Sequence, residues 1–199
     1  MPISDRTRSV VAAVAAAVML TGCGHTVAGT AVPATRRAPV AKAAQISEAV
    51  AAFWRTQGID PRYVMTPVVE VACAGQVSRE QSLFCRDTGQ LLYNPAALAQ
   101  LQRDGGDWAV ELTLARDIGN AVQDAAGRWS AYLDETARER SADCASGAYM
   151  RYAHPGAVEP IQHAVSFTWI NTDVSRLAAF LNGWRGEVTP LACLNYIGA

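Results

Sequence analysis

The chain has 199 residues, a formal net charge of −1 and hydrophobic residues at half its positions. A near-neutral chain lacks the basic footprint that nucleic-acid binding rests on, so no nucleic acid is expected as a partner. The length suits one domain with a sizeable core once the N-terminal segment is set aside, and no internal repeat is visible.

Arg6 and Arg8 precede an apolar run from Val10 to Leu20, which ends in Leu20-Thr21-Gly22-Cys23. A positive start, a short apolar core and small residues at its end describe a secretory signal peptide over residues 1–22. The run is shorter than the ~20 apolar residues of a permanent membrane span. Leu-Thr-Gly-Cys resembles a bacterial lipobox, which implies acylation of Cys23 and a mature chain that starts there. Two acyl chains hold a protein stably on a membrane, whereas one binds only marginally. The expected location is therefore the cell membrane, lipid-anchored on its extracytoplasmic side. Residues 23–44 are rich in Ala, Pro, Thr and Gly without an apolar period and read as a flexible tether, leaving 45–199 as a single domain.

Within that domain the pattern predicts a helix from about Ile46 to Gln57, stopped by Gly58, and a β-branched strand over Thr66 to Ala72. Ser82 to Arg86 and Gln90 to Asn94 read as a strand pair around the turn signal Asp87-Thr88-Gly89. Asn94-Pro95 supplies an N-cap and a first-turn proline for a helix to about Arg103, which Asp104-Gly105-Gly106 breaks. Asp107 is expected to cap a long helix to Ala126, and Asp134 another to about Tyr152, ahead of Pro155-Gly156. A last helix runs from about Thr172 to Asn182, ended by Gly183. Helices that cluster after a small antiparallel sheet give an α+β class. Setting Cys23 aside leaves Cys73, Cys85, Cys144 and Cys193, an even number in an exported chain, which favours disulfides over metal binding and permits three connectivities.

Glu111 to Gln123 reads E-L-T-L-A-R-D-I-G-N-A-V-Q, and Glu139 to Gly147 reads E-R-S-A-D-C-A-S-G. The two segments resemble the active-site helix and third-ligand helix of the bacterial neutral zinc metallopeptidases, a zincin-like family. Those carry H-E-x-G-H-x-V-Q and E-x-x-A-D-C-x-x-G. Ser82-Leu83-Phe84-Cys85 with Leu91-Leu92-Tyr93, and the stretch from Phe167 through Arg176 to Cys193, resemble further motifs of the same family. The resemblance implies a zincin-like fold with the pairings Cys73–Cys85 and Cys144–Cys193. Arg116 and Asn120 stand where the family has its two histidine ligands, and Trp169 where its last motif has a histidine. Asp117 takes the general-base slot, Glu139 the third-ligand slot and Asp143 the position of a carboxylate that orients the first histidine. A guanidinium offers only donors and stays protonated, so no metal ligand set survives and neither zinc nor another cofactor is expected.

The expectation is therefore a degenerate site. Arg116 is expected to act as a fixed cation for Glu139 and Asp143, with Asn120 as a neutral donor. His154 and His163 lack the short spacing of a zinc pair, and no G-x-S-x-G elbow exists. The functional expectation is a catalytically inactive, lipid-anchored peptidase homologue that binds a protein, peptide or envelope partner in the former cleft. The alternative is an active hydrolase with an atypical site.

Overall fold

The computed structural model describes residues 37–131, 134–168 and 173–196. The signal peptide, Cys23 and the first part of the tether lie outside them, as does Trp169. The first helix, α1 (Arg37–Thr56), begins well before Ile46. The alanine-rich run through Ala43 and Ala44 has high helix propensity, and tertiary contact anchors its first turns. Ala43, Ile46, Val50 and Trp54 are buried in the main core, and Lys42 pairs with Asp107.

Strands β1 (Val64–Pro67), β4 (Ser82–Cys85) and β5 (Gln90–Tyr93) form one sheet in the order β1-β5-β4. β4 and β5 make the expected antiparallel hairpin, with Leu83 opposite Leu92 and Phe84 opposite Leu91. Its turn is a single 3-10 turn, Arg86–Thr88, closed by Gly89 in the left-handed region. The expectation of a wholly antiparallel sheet is corrected, because β1 runs parallel to β5. The long connection after β1 lets the chain return through β4 before β5 inserts between them, and a parallel pair requires such a crossover. That connection carries a small ladder of β2 (Ala72–Cys73) and β3 (Gln76–Val77), so the strand read over Thr66 to Ala72 is two shorter strands. The Cys73–Cys85 disulfide fastens this ladder to β4.

Helix α2 (Pro95–Ala125) opens on Asn94, whose side chain accepts from the backbone N–H of Ala96 and Ala97. It kinks at Gly106, whose φ of 77° is a conformation that side chains with a Cβ rarely adopt. The break falls where Asp104-Gly105-Gly106 predicts it. Asp107, expected as a cap there, instead accepts from Gln102 and pairs with Lys42. Beyond the kink the second half of α2 is buried almost continuously from Ala109 to Gln123.

Helix α3 (Glu135–Ala153) starts on the Asp134 cap. Helix α4 (Val158–Ser166) was not legible in the sequence, because its N-cap, Ala157, has no capping side chain. Helix α5 (Val174–Arg185) is capped by Asp173 and stopped by Gly186, not by Gly183. Gly183 serves a different purpose. A Cβ there would lie 2.1 Å from the Cys144 carbonyl oxygen, and one at Gly147 would lie 2.2 Å from the Phe180 carbonyl oxygen. α3 and α5 therefore touch backbone to backbone through two glycines, which brings the first turn of α5 against the middle of α3. The short α6 (Pro190–Cys193) is tied to α3 by Cys144–Cys193 and by Ser141 Oγ donating to the Cys193 carbonyl at 2.8 Å. The class is α+β, mostly helical, with a small sheet and both expected disulfides.

Candidate functional site

Four elements converge on one buried cluster of charge. Arg116 and Asn120, one turn apart on α2, share a face with Asp117 close by. Glu139 and Asp143 stand one turn apart on α3, Arg176 sits in the first turn of α5, and Glu80 and Ser82 come from the approach to β4. Gly119 allows the close approach of α2 to α3: a Cβ at that position would meet the Ala142 carbonyl oxygen at 3.2 Å. The Asp173 cap accepts from the N–H of Ser175 at 2.8 Å and of Arg176 at 3.4 Å, which fixes where the Arg176 side chain departs.

The Arg116 side chain is only 2% exposed. Its Nη2 is ion-paired to Glu139 Oε2, its Nη1 donates to Asp117 Oδ1 at 2.8 Å, and Glu80 Oε2 lies 3.5 Å from that same nitrogen. Its Nε is 3.6 Å from Asp143 Oδ1. The forked grip on Asp143 is made by Arg176. Arg176 Nε donates to Asp143 Oδ2 at 2.6 Å, and its Nη2 donates to Oδ1 at 2.9 Å and to Glu139 Oε2 at 3.3 Å. Such bidentate pairs are the stronger and geometrically stricter kind. Ser82 Oγ donates to the far oxygen of Asp117. Asn120, expected as a donor in this network, is 3% exposed, and its Oδ1 is buried without a hydrogen-bond partner among the described residues.

Both interior carboxyls are pushed above the usual range, Asp117 to about 7 and Asp143 to about 6. Burial is the largest cause in each, and the neighbouring guanidinia oppose it without cancelling it. Burial likewise lowers the pKa of Arg176. A carboxyl that holds its proton more tightly when folded contributes stability below its unfolded value and loses that contribution as pH rises through the folded one. Asp107 and Asp173 are shifted downward, chiefly by Lys42 and by Ser175 respectively, and so act only at lower pH. Between about pH 5 and pH 8 the urea midpoint is expected to fall, and Asp117→Asn to flatten that slope. A midpoint that rises across this window contradicts the buried-carboxyl account.

The donor set does not fit a zinc ion held in the manner of the family that the motifs resemble. Arg116 presents only donors, an amide oxygen is not among the usual zinc ligands, and the Glu139 oxygen is occupied by guanidinium. Asp117 and Ser82 have no exposed surface, so neither can touch a substrate.

No family model, characterised protein or solved structure matches this chain. What it binds or does is therefore argued from its own site.

Above the cluster lies an open cleft of about 760 Å³. Its floor includes Glu80, Asn120, Glu139 and Arg176, and its walls include Leu83 and Trp129. Arg138 lies 4.4 Å over the Trp129 ring and Arg86 5.7 Å from it, a cation–π arrangement that holds this wall in place. The histidines serve elsewhere. His154 bonds Glu111 at 2.9 Å and stacks on Trp108, while Tyr149 donates to the other Glu111 oxygen at 2.7 Å. His163 packs edge-on against Phe167. Arg176, Glu80 and Ser82 are the site residues that sequence reasoning did not assign. The one local signal was Asp173, whose capping position places Arg176 in the first turn of α5.

Proposed function

We propose that this chain is a lipid-anchored envelope protein whose domain is zincin-like in fold but catalytically silent. On this reading it retains the former substrate cleft as a binding site for a protein, peptide or other envelope partner. The observation that carries the reading is the Arg116 guanidinium, buried against Glu139 in the slot of the first histidine ligand. A permanent cation there neutralises the ligand carboxylates and leaves nothing to polarise a carbonyl through a metal. An active hydrolase with an atypical site is the weaker reading, since Asp117, in the general-base slot, is buried and Glu139 on the cleft floor is held by Arg116 and Arg176. The cleft itself remains open, with polar and aromatic lining, and its size lies within the range of ligand sites.

Metal analysis of the purified full chain, combined with a peptidase assay, tests the silent-site reading. Substoichiometric zinc and no cleavage are expected; one tightly held zinc per chain with turnover overturns it. The anchor is tested by Cys23→Ala, which should abolish acylation and release the protein from membranes. A variant that is still acylated and membrane-bound removes the lipoprotein reading.

A further inference from the structure

We infer that the cleft takes a primary ammonium carried on an apolar stem, in the manner of a lysine side chain of a polypeptide partner. This deepens the proposed binding role and rests on it. The network sets four carboxylates, Glu80, Asp117, Glu139 and Asp143, against the guanidinia of Arg116 and Arg176. Fully ionised, it carries an excess of negative charge beneath an open cleft, and a positive ligand group meeting Glu80 and Glu139 would balance it from the cleft side. Glu80 is the carboxylate best placed to meet that group. Its side chain is 30% exposed, it lines the cleft, and Arg116 Nη1 lies 3.5 Å from its carboxylate.

Asn120 gives an independent pointer. Its side chain lines the same floor, it is 3% exposed, and Oδ1 is an acceptor with no donor among the described residues. A buried polar atom without a partner costs stability unless a ligand or water completes it, so a donor arriving from the cleft is what this position lacks. A group that donates up to three hydrogen bonds and carries a positive charge satisfies both needs at once. A guanidinium is the poorer fit, because its planar fork requires a carboxylate presented edge-on, and Glu139 already shares an oxygen between two such forks. Leu83 then offers apolar surface for the methylene stem, as lysine stems commonly use.

The test is titration of the full chain with three probes: acetyl-Ala-Ala-Lys-Ala-Ala-amide, the same peptide with norleucine for lysine, and n-butylammonium. The lysine peptide is expected to bind at least about tenfold more tightly than the norleucine peptide, the usual worth of a hydrogen bond to a charged group. Glu80→Gln should remove most of that difference, and Glu80 lies far enough from the core for the variant to fold. Tighter binding of the lysine peptide than of n-butylammonium assigns the site to a polypeptide lysine; equal binding assigns it to small amines and overturns the polypeptide source. Equal binding of the lysine and norleucine peptides overturns the ammonium proposal while leaving the cleft as a binding site. Failure of all three probes to bind at millimolar concentration overturns the ammonium proposal and withdraws support from the binding role. A lysine preference that survives unchanged in Glu80→Gln places the cation elsewhere and overturns the site.

Discussion

Replacing Arg116 by alanine is expected to cost roughly 3–5 kcal/mol of stability, the usual penalty for breaking a buried ion pair from one side. The size follows from what is left behind. Arg116 bridges α2 to α3 through Glu139, and it is the guanidinium that hydrogen-bonds Asp117. Without it, Asp117 is left with the Ser82 hydroxyl, and Asp143 and Glu139 depend on Arg176. For a domain of this length each kcal/mol shifts the melting temperature by roughly 2–4 °C, so a fall of about 6–20 °C should be seen at pH 8. The same change should cost less at pH 5. Asp117 and Asp143 already hold their protons unusually tightly, at about 7 and about 6, and losing a cation raises them further. Protonation then relieves the stranded charge. Removing the Glu139 charge as well, in Arg116→Met with Glu139→Gln, should recover part of the loss, since residues in one network couple non-additively. Wild-type stability in the alanine variant at pH 8, or a loss indifferent to pH, contradicts the buried-cation account.

Severing Cys144–Cys193 is the second large effect, at about 4 kcal/mol, against about 3 kcal/mol for Cys73–Cys85. The difference comes from the chain closed by each bridge. The partners are 49 residues apart in the first case and 12 in the second, and the loop entropy removed from the unfolded chain grows with the logarithm of that separation. The longer bridge also holds α6, a helix of four residues that cannot persist by itself. Its loss should free the C-terminal segment around Cys193 and Leu194, both now buried. The shorter bridge fastens the β2–β3 ladder beside β4, and Cys73 itself lines the cleft. Paired Cys→Ala variants should therefore separate the two roles. Cys144→Ala with Cys193→Ala should lower the unfolding midpoint more, while Cys73→Ala with Cys85→Ala should disturb cleft binding more. Equal stability losses from both pairs contradict the assignment.

Much of the frame is local in origin and is written directly in the order of residues. Asn94-Pro95 opens α2 because a side-chain acceptor and a missing N–H suit a helix start, and Asp134 opens α3 for the first of those reasons. Gly106 breaks α2 because only glycine takes its φ freely. The meeting of Arg116 with Glu139 is what the resemblance of the two segments to the metallopeptidase helices implies, and the ion pair is present. Signals of this kind act within a few residues, and the chain states them plainly.

Other features depend on segments far apart in the chain. Gly183 looked like a helix stop, and it lies inside α5 because α3 approaches too closely for any side chain. Asp107 looked like a cap, and it was claimed by Lys42 on a helix whose start depends on packing. The parallel partner of β5 was set by where a crossover returns, which strand composition does not encode. Arg176 reached Asp143 across 33 residues because two glycines let α5 lie flat against α3. Caps, breaks and helix faces follow from the bonds and sterics of neighbouring residues, so the order of residues alone dictates them. The charge balance of the cleft depends on which distant side chains share one dry volume, and only the packing of α2, α3, α5 and β4 brings them there.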